Sequence, residues 1–115
     1  MRLSLSWPAP ALWPNSRVSW RVRSEYVRAA RDEAYVVTRN TLLVPPWNDP
    51  GGDILLTVTG HKPAEHGQDR DGFNSAMKAY YDGIASALQV NDRRFKQVVD
   101  WGENEPPRGS VTVEL

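Results

Sequence analysis

Residues 71–88 read DGFNSAMKAYYDGIASAL and form the most regular pattern in the chain. Apolar side chains recur there at three- and four-residue steps, which is the spacing of one face of an α-helix. This stripe consists of Phe73, Ala76, Met77, Tyr80, Ile84, Ala87 and Leu88. The stretch therefore predicts one helix that packs a single face against a core.

The flanking segments predict four strands and a second helix. Residues 2–6 alternate, residues 53–59 are rich in aliphatic side chains, and residues 95–101 and 110–115 also favour strands. A helix is predicted to begin between Ser16 and Ser19 and to end near Asn40, with an apolar stripe of Val22, Tyr26, Ala29, Ala30, Ala34 and Val37. Proline-rich residues 7–14 predict an extended loop without regular structure, and residues 44–52 predict a second loop. The order β-α-β-α-β-β predicts one mixed α/β (α+β) domain over residues 1–115, in which two main helices cover a small mixed sheet.

Composition excludes several classes of protein. The chain has 115 residues, 40% of them apolar and 24% charged, which is typical of a globular domain. Cysteine is absent, so disulfides, thiol catalysis and cysteine-ligated zinc are excluded. No apolar run is long enough to cross a membrane and no signal peptide is recognisable, so we expect a cytoplasmic protein. Glycine-rich nucleotide motifs are also missing, so no small-molecule cofactor is expected.

Charge is unevenly distributed although the net charge is zero. Residues 1–40 hold seven arginines against three acidic residues, and the remainder holds seven basic against eleven acidic residues. Arg17, Arg21 and Arg28 are predicted to lie close together on the first helix, with Arg31 one turn beyond Arg28. Such a face either binds phosphate groups or is simply a solvated helix surface.

Acidic residues at the start of the second helix predict a candidate Mg²⁺ site. Asp69 and Asp71 flank Arg70 there, and Asp92 follows the helix. A straight helix would keep Asp92 away from Asp71 unless the chain turns back. On a helical wheel Lys78 and Asp82 share the direction of Asp71. The structural alternative is a helix cap followed by an ordinary surface ion pair.

Two segments together resemble the RusA family of Holliday-junction resolvases. The stretch over residues 69–95, DRDGFNSAMKAYYDGIASALQVNDRRF, is similar to that family's Asp-x-Asp-Asn motif, helical Lys, Asp-Gly-Ile step and Asn-Asp turn. The matching residues are Asp69, Asp71, Lys78, Asp82, Gly83, Ile84, Asn91 and Asp92. Residues 10–31 resemble the family's proline-rich stretch and arginine-rich helix. Gly72 departs from the pattern, since the family usually has Asn there.

The resemblance implies a homodimeric, Mg²⁺-dependent endonuclease that resolves four-way DNA junctions by paired nicks. It implies that Asp69, Asp71 and Asp92 hold Mg²⁺, that Lys78 completes the catalytic set, and that Arg17, Arg21, Arg28 and Arg70 bind DNA. It implies no other cofactor and no membrane partner.

Two other functions stay open from the sequence. Because of Gly72, the chain could bind junctions without cleaving them. It could also be an interaction protein whose interface contains Trp7, Trp13, Trp20 and Trp47. His61 and His66, in one loop, are either a metal pair or solvated side chains.

Overall fold

The computed structural model describes residues 1–43, 47–65 and 67–115. The strands are β1 (Arg2–Ser6), β2 (Ile54–His61), β3 (Phe95–Trp101) and β4 (Ser110–Glu114), and the helices are α1 (Trp20–Thr41), α2 (Arg70–Ala76) and α3 (Lys78–Leu88). Two short 3-10 turns lie at Pro10–Leu12 and Asp92–Arg94. The predicted mixed α/β class is confirmed. Within the described ranges, none of the helices has the length and apolar character that crossing a bilayer requires.

The four strands form one mixed sheet in the order β1-β4-β2-β3. β4 runs antiparallel to both neighbours, pairing Val113 with Leu3 on one side and with Val58 on the other. β2 and β3 are parallel, with Ile54 opposite Phe95, and α2 and α3 make the crossover that parallel strands need. The last strand of the sequence is thus central in the sheet.

One face of the sheet carries the core. Alternate residues of the strands, such as Leu56, Val58 and Val111, are fully buried against Ala34 of α1 and Ile84 of α3. The opposite face lacks such cover within the described part of the chain, and Leu55 and Val98 are there 58% and 54% exposed. This asymmetry is ordinary for a sheet with antiparallel strands and helices on one side.

Helix α1 begins where capping chemistry predicts. Ser19 is its N-cap and accepts a hydrogen bond from the Val22 amide. Arg17 lies before the helix, so the prediction that it belongs to the helical arginine group is wrong. The predicted apolar stripe is also wrong in part, because Val22 and Tyr26 are 40% and 44% exposed. The buried face is rotated toward Ala30, Ala34 and Thr38, whose small side chains admit α3.

The proline-rich loop is more regular than predicted. Residues Pro10–Leu12 make a 3-10 turn, which Pro10 favours because its φ is already fixed and its missing amide costs nothing at that position. Arg23 of α1 holds this turn by donating to the carbonyls of Ala11 at 2.9 Å, Trp13 at 3.3 Å and Leu12 at 3.4 Å. This arginine is therefore a structural clamp.

The single helix predicted over residues 71–88 is interrupted, which corrects that prediction. α2 starts one residue earlier, at Arg70, and ends at Ala76, and α3 starts at Lys78. The Met77 amide bonds to the carbonyls of both Phe73 (3.1 Å) and Asn74 (3.2 Å), a tightened turn. Met77 is fully buried, so core packing holds the interruption in place.

Candidate functional site

The chain reverses direction at the end of α3 and brings Asp92 back to Asp82. Gln89 caps the helix in the left-handed conformation (φ 59°), and the Val90 amide returns to the Ala85 carbonyl at 3.0 Å. Asn91 then caps the turn Asp92–Arg94 by accepting a hydrogen bond from the Arg93 amide. Asp82 and Asp92 line the same depression, where the Asp92 carboxyl group is close enough to raise the pKa of Asp82.

The turn that carries Asp92 is anchored to the loop before β2. Arg94 donates to the Gly52 carbonyl at 2.7 Å and forms a forked ion pair with Asp49, at 2.5 and 3.0 Å. The Arg94 guanidinium, together with the Gly51 amide, lowers the pKa of Asp49 to about 2. This pair therefore stays ionised at neutral pH and fixes the position of the turn.

Charges converge on Asp82. Partial burial raises the pKa of the Asp82 carboxyl above its usual value, and the adjacent Asp92 raises it further through a hydrogen bond and through like charge. Lys78, one helical turn earlier, and Arg31 of α1 oppose this shift in pKa. The result is a pair of acidic side chains beside two cations.

Gly83 explains why Arg31 is close to this pair. A Cβ at position 83 would meet the Ala34 Cβ at 2.9 Å and would overlap the backbone carbonyl of Arg31. Only glycine lets α3 approach α1 this closely. Because Asp82 precedes Gly83, this close approach of the helices brings Arg31 near enough to Asp82 for its charge to lower the pKa of that carboxyl.

Three neighbouring surface depressions share lining residues across the site. The first is lined by Trp20, Arg23, Ser24, Val27, Arg28 and Arg31. The second shares Arg23 and Val27 with the first and continues to Lys78 and Asp82. The third shares Asp82 with the second and ends at Asn91 and Asp92. We call these three adjoining depressions the arginine–aspartate groove.

Asp69 and Asp71 lie at the start of α2, in a different place. Asp69 is the N-cap and accepts a hydrogen bond from the Gly72 amide, and Asp71 is exposed in the first turn. About 16 Å of helix rise separates Asp71 from Asp82 if the two helices are treated as one straight rod. Across the described ranges, no three acidic or histidine side chains come together as a metal-binding group. The structure therefore does not assemble Asp69, Asp71 and Asp92 into one cluster within this chain.

Gly72 lies against the carboxylate of Asp69 that caps α2. A Cβ at position 72 would lie 2.6 Å from the Asp69 Oδ1 atom. An Asn side chain at this position would require the flexible Asp69 carboxylate to shift.

The predicted DNA-binding arginines differ in their surroundings. Arg17, Arg21 and Arg28 are exposed, and none of the three forms an ion pair within the described residues. Arg28 lines the arginine–aspartate groove. Arg70 instead lies 3.2 Å from Asp100 in an exposed ion pair, which offsets its charge.

Most tryptophans belong to the interior side of the fold. Trp7, Trp13 and Trp101 pack around Phe73 with ring centroids 5.0–6.3 Å apart, and Trp47 packs against the core. Of the four tryptophans considered for an interaction interface, only Trp20 is therefore exposed, at 76%.

The candidate histidine metal pair lies partly outside the described residues. His61 donates from Nδ1 to the Glu103 carbonyl at 2.8 Å, and the predicted partner His66 lies outside the described residues.

Sequence reasoning placed Lys78 and Asp92 in the site but left Asp82 and Arg31 out of it. Asp82 follows Lys78 by one helical turn and belongs to the Asp-Gly-Ile step, a signal that was available. The signal for Arg31 is weaker, because its position depends on the helix contact at Gly83.

The fold and site define a mixed α/β protein with an acidic pair at the end of a basic groove. An uncharacterized protein of Xylella fastidiosa is 37% identical over 97 residues, or 81% of this chain. The chain spans 61% of the length of that relative. No family model matches the chain.

Proposed function

We propose that this chain is a RusA-like, Mg²⁺-dependent endonuclease that cuts four-way DNA junctions. The observation that carries the proposal is the arginine–aspartate groove, in which exposed arginines lead to a pair of carboxyl groups. Arginine side chains bind the phosphate backbone without regard to sequence, and carboxylates provide the acid–base chemistry for its hydrolysis. The resemblance over residues 69–95 supplies the kind of DNA substrate.

The side chains in the groove would divide the work of hydrolysis. A water oxygen forms a bond to phosphorus, the bond from phosphorus to one sugar oxygen breaks, and the leaving oxygen takes up a proton. A carboxylate of the Asp82–Asp92 pair can accept the proton from water, since both side chains line the depression at the end of the groove. Lys78 and Arg31, beside it, stabilise the negative charge that grows on the phosphate.

The donor set of the pair fits Mg²⁺. Asp82 and Asp92 line one depression of about 370 Å³, and Mg²⁺ is usually bound by one or two carboxylates together with substrate phosphates and water. When bound, Mg²⁺ would offset charge on the phosphate and make water more acidic. Asp69 and Asp71, the other ligands implied by the resemblance, stay a prediction.

Two symmetric nicks in one junction would require a two-fold dimer of this chain. A junction presents two equivalent scissile phosphates, and each 13.0 kDa chain carries one acidic pair. Val98 is exposed together with Leu55 on the open sheet face, whereas Val99 and Trp101 pack against the core. We propose that this exposed face of the sheet is the contact between the two subunits. Sedimentation should give about twice the chain mass at micromolar concentration, and a strict monomer that still makes paired nicks would exclude the dimer.

Cleavage of a synthetic four-way junction, labelled on opposite strands, tests the enzymatic proposal. With Mg²⁺ we expect two symmetric nicks, and with chelator none. Asp82→Asn and Asp92→Asn should each lower the rate by roughly 10²-fold or more. Asp32→Asn, an exposed change on α1, is the matched control and should leave the rate unaltered. Wild-type rates in both site variants would refute the assignment.

Asp71→Asn separates the two candidate acidic groups. The resemblance predicts a loss of roughly 10²-fold, since it makes Asp71 a metal ligand. The geometry of the Asp82–Asp92 pair predicts a loss below about 10-fold, the scale of an indirect effect.

A second candidate function is junction binding without cleavage. It is favoured by Asp69, whose carboxylate is occupied in capping α2 beside Gly72. This candidate predicts tight, salt-dependent binding of the junction and no nick at any Mg²⁺ concentration.

A further inference from the structure

Trp20 is an unusual surface residue for this fold. Trp20 is the first residue of α1, and its side chain is 76% exposed, whereas each of the other four tryptophans is partly buried. No ring of the described residues stacks on it. A single exposed aliphatic side chain would need no explanation, but an exposed indole has a large flat surface available for a partner.

The surroundings of Trp20 restrict the chemistry of that partner. Trp20 lines a depression of about 410 Å³ together with Arg28 and Arg31. These arginines follow it by about 12 and 16 Å along the helix axis. The third arginine, Arg23, is already bonded to the proline-rich turn. The surface therefore offers one flat aromatic ring followed by two exposed cations on the same side of a rigid helix.

We propose that Trp20 stacks on an unpaired DNA base, while phosphates of the same strand contact Arg28 and Arg31. Aromatic rings next to a basic track are the usual way in which proteins hold single strands, because every base has a flat face. An apolar peptide would gain nothing from the two arginines. The inference rests on the proposed function for the source of the unpaired base, a base pair opened at the crossover of a four-way junction. The stacking itself requires no cleavage.

Metal-free binding tests the inference separately from cleavage. The probe is a fluorescein-labelled oligothymidylate of about 15 nucleotides, compared with a fully paired duplex of the same length. Trp20→Ala should weaken binding of the oligothymidylate by about 5- to 100-fold, the loss of one stacked base, and should change duplex binding less than about 2-fold. Trp20→Phe keeps a flat ring and should stay within about 3-fold of wild type.

Control variants distinguish stacking from charge and from general damage. Tyr26→Ala removes an exposed aromatic side chain outside the groove and should alter neither probe. Arg28→Ala should lower the slope of log affinity against log salt by about 1, and Trp20→Ala should not change this slope. A four-way junction with 2-aminopurine at the crossover should lose its fluorescence change in Trp20→Ala.

Three results would overturn the inference. They are an equal loss of duplex and single-strand binding in Trp20→Ala, unchanged binding of both probes, or Trp20-dependent binding of oligoglutamate as tight as that of oligothymidylate. Failure of Mg²⁺-dependent nicking with intact Trp20-dependent binding would refute only the proposed function. Normal nicking with Trp20-independent binding would refute only this inference.

Discussion

Replacing Gly83 by alanine should destabilise the protein, although alanine is the better helix former. The added Cβ would meet the Ala34 Cβ at 2.9 Å and overlap the Arg31 carbonyl. Both are close to the backbone and cannot move aside by rotamer change. A carbon–oxygen contact normally needs about 3.3 Å or more, so α1 and α3 must separate by about 1 Å.

The cost follows from that separation. A gap of this size removes about a quarter to a half of the dispersion energy of the contacting atoms, and overpacking in cores costs up to about 3 kcal/mol. Alanine recovers about 1 kcal/mol of helix propensity. The net loss in the free energy of unfolding is thus about 2 kcal/mol, which lowers the melting temperature by about 8 °C in a domain of this size.

Urea unfolding followed by tryptophan fluorescence measures the effect of Gly83→Ala. Gly67→Ala is the matched control, because a Cβ at position 67 meets no atom within 4 Å. It should be neutral or stabilise by less than about 1 kcal/mol. A Gly83→Ala protein as stable as this control would refute the close approach of the two helices, and with it the placement of Arg31 beside Asp82.

Three further outcomes follow from the site and its supports. Asp92→Asn should stabilise the fold at neutral pH, because the raised pKa of Asp82 means that the wild-type protein loses stability as the pH rises through that pKa. The gain in the free energy of unfolding should fade as the pH falls toward 3.8, the ordinary pKa of an aspartate, since Asp82 is then protonated in both proteins. Urea unfolding at several pH values would show this. Arg23→Ala should lower the free energy of unfolding by about 1–3 kcal/mol through its lost carbonyl bonds, measured by thermal denaturation. The double change of Arg21 and Arg28 to alanine should lower the salt slope of junction binding by about 2 and leave the melting temperature within about 2 °C, as titrations at several salt concentrations would show. An unaltered slope would mean that this face is only solvated.

The fold was predictable where the signal is local. The strand at residues 2–6 follows from alternation, and the start of α1 follows from Ser19, which bonds the Val22 amide. The Met77 interruption was not predictable from periodicity, because the apolar spacing continues through it. It depends on the complete burial of Met77 among segments distant in sequence.

The candidate site was predictable only in its residue types. The chain order puts Lys78, Asp82 and Asp92 within a short stretch, but it does not say which carboxylates meet. The left-handed residue Gln89 reverses the chain after α3, so that Asp92 comes close to Asp82 near the end of that helix. The resemblance grouped Asp92 with Asp69 and Asp71, whereas within this chain the described residues bring Asp92 close to Asp82 instead.

By itself the sequence determined the α/β class, the four strands, the start of α1 and a basic first half, because each depends on side chains a few residues apart. Tertiary structure alone decided that β4, last in sequence, inserts between β1 and β2. It also decided that the close contact of α1 and α3 at Gly83 brings Arg31 near Asp82. These arrangements depend on hydrogen bonds and close packing between distant segments, and no local pattern of residues encodes which distant partner is buried against which.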